Sequence, residues 1–244
     1  MRKLEQDIYQ KIKHDFATEI TMLETGLNTA IRCAQILIQK SPLLDKPNLR
    51  ANLLNTNQHD RCSVTHTLLV SHAITFLRAA RLLLLTGYIV PSLSCLRTAF
   101  ESFQNAHICL VLDDQAMMLL KGKHLNKKVE INYPIQLDKA VAKEIKNTLS
   151  NYGIHPNYEA LETQALYEGS IFIEKNRATY EFIFLRNVYS FLTISLLLLD
   201  YLIDIKQFLK KELPDAENVA RDIAAEVKDI AARLKDMSAS NSVA

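Results

Sequence analysis

Glycine and proline are scarce in this chain, with 5 and 6 in 244 residues. So few glycines leave no phosphate-cradling loop. Neither a G-x-S-x-G elbow nor an H-E-x-x-H pair occurs. Rossmann, serine-hydrolase and zincin chemistries are excluded on that ground. An excess of either charge is missing too. The formal net charge of +2 gives no signal for DNA, and any basic site has to be local. The four cysteines, Cys33, Cys62, Cys95 and Cys109, form no C-x-x-C pair, which fits reduced thiols rather than a disulfide framework or zinc site. His59, His66 and His72 are spaced for neither one helical face nor a usual metal pattern. The uncharged run 187–199, closed by Arg186 and Asp200, is too short to span a bilayer. Met1–Asp7 has no apolar signal-peptide core. The expectation is a soluble, cytoplasmic protein with no membrane span, no metal and no cofactor.

What is present is apolar periodicity. Hydrophobic residues make up 48% of the chain, enough for one substantial core. Their spacing predicts an all-α fold: a single domain over 1–237, a disordered tail over 238–244, and about five main helices around a long helical hairpin. Ile8, Ile12, Phe16, Ile20, Leu23, Leu27, Ile31, Ala34 and Leu37 describe one amphipathic helix over 3–40. The hairpin runs from Leu68 to Leu112, turning near Tyr88–Val90, with Pro91 in the first turn of its second helix. Counting outward from Ile89 sets Arg78 level with Phe100–Glu101, so Glu101 is expected to pair with Arg78, with Arg97 one turn before it, or with both. Residues 177–211 form a central helix, with Tyr180, Phe184, Val188, Phe191, Ile194, Ser195, Leu198 and Leu202 facing inward. The last helix, 216–237, has a narrow stripe of Ile223, Val227, Ile230, Leu234 and Met237, suited to an edge or to a partner chain. The runs 129–133 and 170–174 alternate like short strands and are expected to form a minor two-stranded β element.

Candidate chemistry is thin. His155 precedes Pro156 in a loop after Ser150 and Tyr152, where an imidazole can serve as general base or fix the loop. Arg97 and Glu101 form either a structural clamp or the floor of a polar pocket. Lys121, Lys123, Lys127 and Lys128 are candidate phosphate contacts without interleaved aromatics. His107, on an apolar face, reads as a core histidine.

Two patterns, Leu96-Arg97-x-x-x-Glu101 and Leu149-Ser150-x-Tyr152-x-x-His155-Pro156, together resemble uncharacterised prokaryotic helical proteins related to the HEPN superfamily, of the abortive-infection and toxin–antitoxin type. The resemblance covers roughly residues 65–205. It implies an all-α fold and, in catalytic members, a metal-independent RNase whose arginine and histidine, spaced R-x4–6-H, meet across a dimer. Arg61 and His66 have that spacing here, but at the start of the core hairpin rather than late in the domain. The function expected is therefore a regulatory or defence-related HEPN-like protein acting through a protein partner or a homodimer. The alternatives are a metal-independent endoribonuclease acting on RNA, with a site drawn either from His155 with Arg97 and Glu101 or from Arg61 and His66 at a dimer seam, and a bundle holding a small apolar ligand.

Overall fold

The computed structural model describes residues 3–125, 147, 149, 158–173, 177–205 and 207–241. Among them the protein is all-α, with no strand. Ten α-helices occur in chain order: α1 (Lys3–Asp15), α2 (Ala17–Gln39), α3 (Leu49–Leu54), α4 (Gln58–Leu85), α5 (Ile89–Val111), α6 (Asp113–Leu120), α7 (Tyr158–Ile173), α8 (Arg177–Ile205), α9 (Gln207–Glu212) and α10 (Ala216–Asn241). Five of them, α2, α4, α5, α8 and α10, exceed 20 residues.

The expected helix over 3–40 is two helices. Phe16 leaves helical geometry at φ −130° and ψ 42°. Its ring turns inward to stack on Phe184, centroids 4.2 Å apart, with Tyr180 edge-on at 5.4 Å. Apolar spacing continues through the bend, so periodicity alone reads straight across it.

α8 occupies the middle of the bundle, and all eight of its expected inward residues are buried. α2 and α10 pack against it on one side. Gly26 lets α2 and α10 approach closely, since a Cβ there would sit 2.8 Å from Ile223 Cδ1. The stripe of α10 is therefore used within its own chain: Ile223 and Ile230 are fully buried, and Val227, Leu234 and Met237 lie against the same core. Arg233 fastens this arrangement, donating to the buried Glu19 at 2.6 Å and to Glu181 at 3.3 Å. α10 also continues through Asn241, past the expected end at 237.

Residues 42–62 hold a 3-10 turn, Pro42–Asp45, and α3 before α4 begins. The asparagines there close turns: Asn52 Nδ2 donates to Pro47 O, Asn55 Nδ2 to Ala51 O, and Asn57 caps α4 by accepting from the Asp60 N–H at 2.9 Å. α4 thus starts at Gln58.

α4 and α5 form the antiparallel hairpin, but the pivot differs from the expected one. Gly87, at φ +87°, ends α4 in a Schellman motif, with Tyr88 N–H donating to Leu83 O and Gly87 N–H to Leu84 O. Gln164 of α7 holds this turn, accepting from Val90 N–H at 3.4 Å and donating to Gly87 O at 3.2 Å. Level residues across the hairpin have numbers summing to 172–174, as seen for Ser92 with Ala80, His72 with Ser102 and Arg61 with Asp113. A pivot at Ile89 would make that sum 178. Arg78 consequently lies level with Leu96 and is exposed, and no Arg78–Glu101 clamp is seen. Arg81 instead reaches α2, where its Nε donates to Glu24 Oε1 at 2.9 Å.

The strand expected at 170–174 is also corrected: Ser170–Ile173 form the last turn of α7. Tyr167 is fully buried, and Ile171 follows it by four residues, so the helical period runs on. The partner run, 129–133, lies outside the described residues.

Candidate functional site

Three groups of polar residues gather around the hairpin. At its open end, Arg61 makes a two-pronged bond to Asp113, the first residue of α6: Nε to Oδ1 at 2.6 Å and Nη2 to Oδ2 at 2.7 Å. Its Nη1 donates to Thr56 O at 2.9 Å and Leu53 O at 3.3 Å. Four acceptors on one nearly buried guanidinium tie α3, α4 and α6 together. The Arg61 hydrogen bonds, more than simple charge, hold the Asp113 carboxyl below its ordinary pKa. Cys62 Sγ lies 3.7 Å from Asp113 Oδ1. Burial first, and then the adjacent carboxylate, pushes this thiol up to about 11. The neutral thiol is therefore the favoured form at neutral pH, the opposite of what an activated nucleophile needs. A cleft of about 300 Å³, lined by Gln58, His59, Cys62, Ser63 and Leu110, opens beside it.

Arg61 and His66 are not brought together. Five helical residues set them about 140° apart around α4. Arg61 faces α6, while His66 is fully buried. The His66 ring lies 5.8 Å from the Tyr201 ring of α8, which also meets His107 at 5.5 Å and Phe103 at 4.9 Å. His107 is thus a buried residue of an aromatic cluster sealed between α4, α5 and α8.

Arg97 and Glu101 do pair, Nε to Oε1 at 3.0 Å, one turn apart on α5 with both side chains partly exposed. Lys121 and Lys123 are exposed on either side of Gly122, where α6 ends in a second Schellman motif. His155, Lys127 and Lys128 lie outside the described residues. Among the described residues no group of three or more His, Cys, Asp or Glu side chains is placed to hold a metal ion.

No family model, curated protein or solved structure matches this chain. What the chain does has to be read from its own surfaces.

One such surface was missed in the sequence. Among the described residues two helices are long and apolar enough to cross a membrane by length and composition, α4 and α8. α8 has 67% of its apolar window buried, as a core helix should, but α4 has only 39%. Its outward side carries Leu68, His72, Thr75, Ala79 and Leu82 at alternating steps of four and three, with Leu68 38% and Leu82 58% exposed. The hydroxyls along this side and one nitrogen of His72 are already engaged, while the exposed Arg78 stands between Thr75 and Leu82. Ser71 and Thr75 donate to the carbonyls four residues back, His72 Nδ1 bonds Ser102 Oγ at 2.8 Å, and Thr98 and Ser102 of α5 bond their own helix. The signal was available in the same letters that marked the hairpin. The count of an inward stripe passed over the second stripe.

Proposed function

We propose that this is a non-catalytic, regulatory helical protein that acts through protein contacts, in keeping with the HEPN-like resemblance, and that the outward face of the α4–α5 hairpin makes those contacts. In this reading the five longest helices form the body of the protein, and its place is the cytoplasm. The observation that carries it is the low burial of the apolar α4 window, 39% against 67% in α8. Soluble proteins rarely leave long apolar faces uncovered without a use for them. Covering the hydroxyls of this face costs little, because they already have partners, and a covering protein has to supply an acceptor for the exposed Arg78. Among the described residues, three candidates for chemistry are engaged elsewhere: Arg61 in a four-acceptor clamp, Cys62 as a neutral thiol, and His66 inside the core.

Two measurements test the reading. The full chain, incubated with single-stranded RNA in the absence of divalent metal, should leave the RNA intact. Cleavage that disappears in Arg97→Ala, His155→Ala or His66→Ala would overturn it in favour of an endoribonuclease. Separately, the Leu68→Glu/Leu82→Glu double variant should keep the helical circular-dichroism signal of the wild type. If the wild-type face is covered, the variant should sediment more slowly. If the face is open, the variant should lose binding of an apolar dye. Wild type and variant alike in both properties would remove the face from consideration.

A further inference from the structure

We infer that the occupant of this face is a single amphipathic helix of another protein, with apolar residues in heptad register and a carboxylate opposite Arg78. The inference rests on the reading above and adds the shape and charge of the partner.

The shape follows from spacing. Leu68, His72, Thr75, Ala79 and Leu82 follow one another at steps of four, three, four and three. At 3.6 residues per turn these five positions fall within about 80° around α4. A core-facing stripe is wider, and one with strict four-three steps is the seam that a single facing helix fills. Leucines stand at the two ends of the seam, 38% and 58% exposed, with the small Thr75 and Ala79 between them. A facing helix can therefore come close at the middle and pack on a leucine at each end. Leu68 and Leu82 lie about 21 Å apart along α4 at 1.5 Å per residue, so about four turns of a partner helix cover the seam.

The charge follows from what α4 lacks. Residues 61–85 contain Arg61, Arg78 and Arg81 but no aspartate or glutamate. Arg61 is held by Asp113, and Arg81 by Glu24. Arg78 is exposed and pairs with no carboxylate among the described residues. It stands about 40° beyond Leu82 around the helix, at the rim of the seam. In heptad terms that is a flanking position, where facing helices choose each other by ion pairs. A glutamate on the partner supplies the acceptor that covering Arg78 calls for. A second copy of this seam brings no carboxylate of its own, so self-pairing would leave both Arg78 side chains without one. His72 adds a smaller demand. Ser102 Oγ donates to Thr98 O, so His72 donates to Ser102 from Nδ1, which leaves Nε2 to accept from a hydroxyl or amide of the partner.

The test uses the full chain and two synthetic peptides of three heptads, each with leucine at both seam positions. One carries glutamate at the flanking positions and the other lysine, so neither pairs with itself. Binding is read by fluorescence anisotropy of the labelled peptide, and the fold of each variant by circular dichroism. The glutamate peptide should bind the wild type about tenfold more tightly than the lysine peptide, and Arg78→Glu should invert the order. Leu68→Gln/Leu82→Gln, which keeps the charge, should lose both peptides. Lys121→Ala/Lys123→Ala should lose neither; loss there would mean that the basic end of α6 draws the acid, and would overturn the inference. Two peptides bound equally, and lost together in Leu68→Gln/Leu82→Gln, would overturn the carboxylate while leaving the face as a contact surface. A wild type of twice the chain mass by light scattering, falling to the single mass in that variant, would give the face to a second copy. Binding to phosphatidylglycerol vesicles, lost in that variant, would give it to a lipid surface. Either result overturns the helical partner. So would failure of both peptides to bind at millimolar concentration, and a wild type that then binds an apolar dye no better than the variant would end the contact-surface reading too.

Discussion

α4 and α8 are similar in length and in apolar character, yet the fold treats them differently. α8 lies in the centre with helices on several sides, and its window is 67% buried; α4 lies at the margin with 39% buried. Composition tells how much apolar surface a helix has. Position in the bundle decides how much of it the chain covers itself. The uncovered remainder on α4 is where the account places function.

Substitutions should separate the two helices sharply. The largest effect is expected in α8: Phe184→Ala, at a fully buried ring stacked on Phe16, should cost about 3–5 kcal/mol in urea unfolding. A result under about 1 kcal/mol would mean α8 is not the central helix.

Next comes the polar clamp at the base of α4. Arg61→Met leaves the Asp113 carboxylate without its guanidinium, and should cost about 2–3 kcal/mol, below the value for a fully buried pair because Asp113 is partly exposed. The same pair gives a pH signature. The Asp113 pKa is lowered in the folded state, so the folded protein binds its proton less readily than the unfolded chain. That contribution is present above the ordinary aspartate pKa, near 3.8, and is lost as pH falls through the lower folded value. Asp113→Asn should therefore be less stable at neutral pH, with a shallower loss of stability below about pH 4. An unchanged acid limb would remove Asp113 from the ion-pair account.

Gly87→Ala should cost about 1–2 kcal/mol, from a positive φ and a Cβ only 3.2 Å from Ile8 Cγ2. The smallest effect closes the comparison. Leu82→Ala, 58% exposed on α4, should change the unfolding of dilute protein by less than about 0.5 kcal/mol. It should nonetheless weaken association, a split that no α8 core residue should show.

Local pattern made much of the fold legible. The inward residues of α8 and the hairpin were set by spacing alone. The hairpin pivot was misjudged by two residues. Pro91 draws the eye to Tyr88–Val90, whereas Gly87 supplies the positive φ that ends α4. That small shift moved Arg78 a full turn along α5 and removed the expected partner for it. With the right pivot, Arg61 and Asp113 fall level, so this bond too was latent in the sequence. Long-range pairs such as Arg81 with Glu24 and Arg233 with Glu19 have no local signature. Nothing in the stripe of α10 distinguishes a helix docked on its own chain from one awaiting another. For the candidate site, Arg97 with Glu101 was legible as a one-turn pair. Arg61 and His66 shared a spacing but not a face.

The most direct test is sedimentation velocity together with apolar-dye binding on the full chain and on Leu82→Glu. At equal helical content, the variant should sediment more slowly where the wild-type face is covered, or lose dye binding where it is open. Wild type and variant alike in both properties would contradict the contact-surface reading.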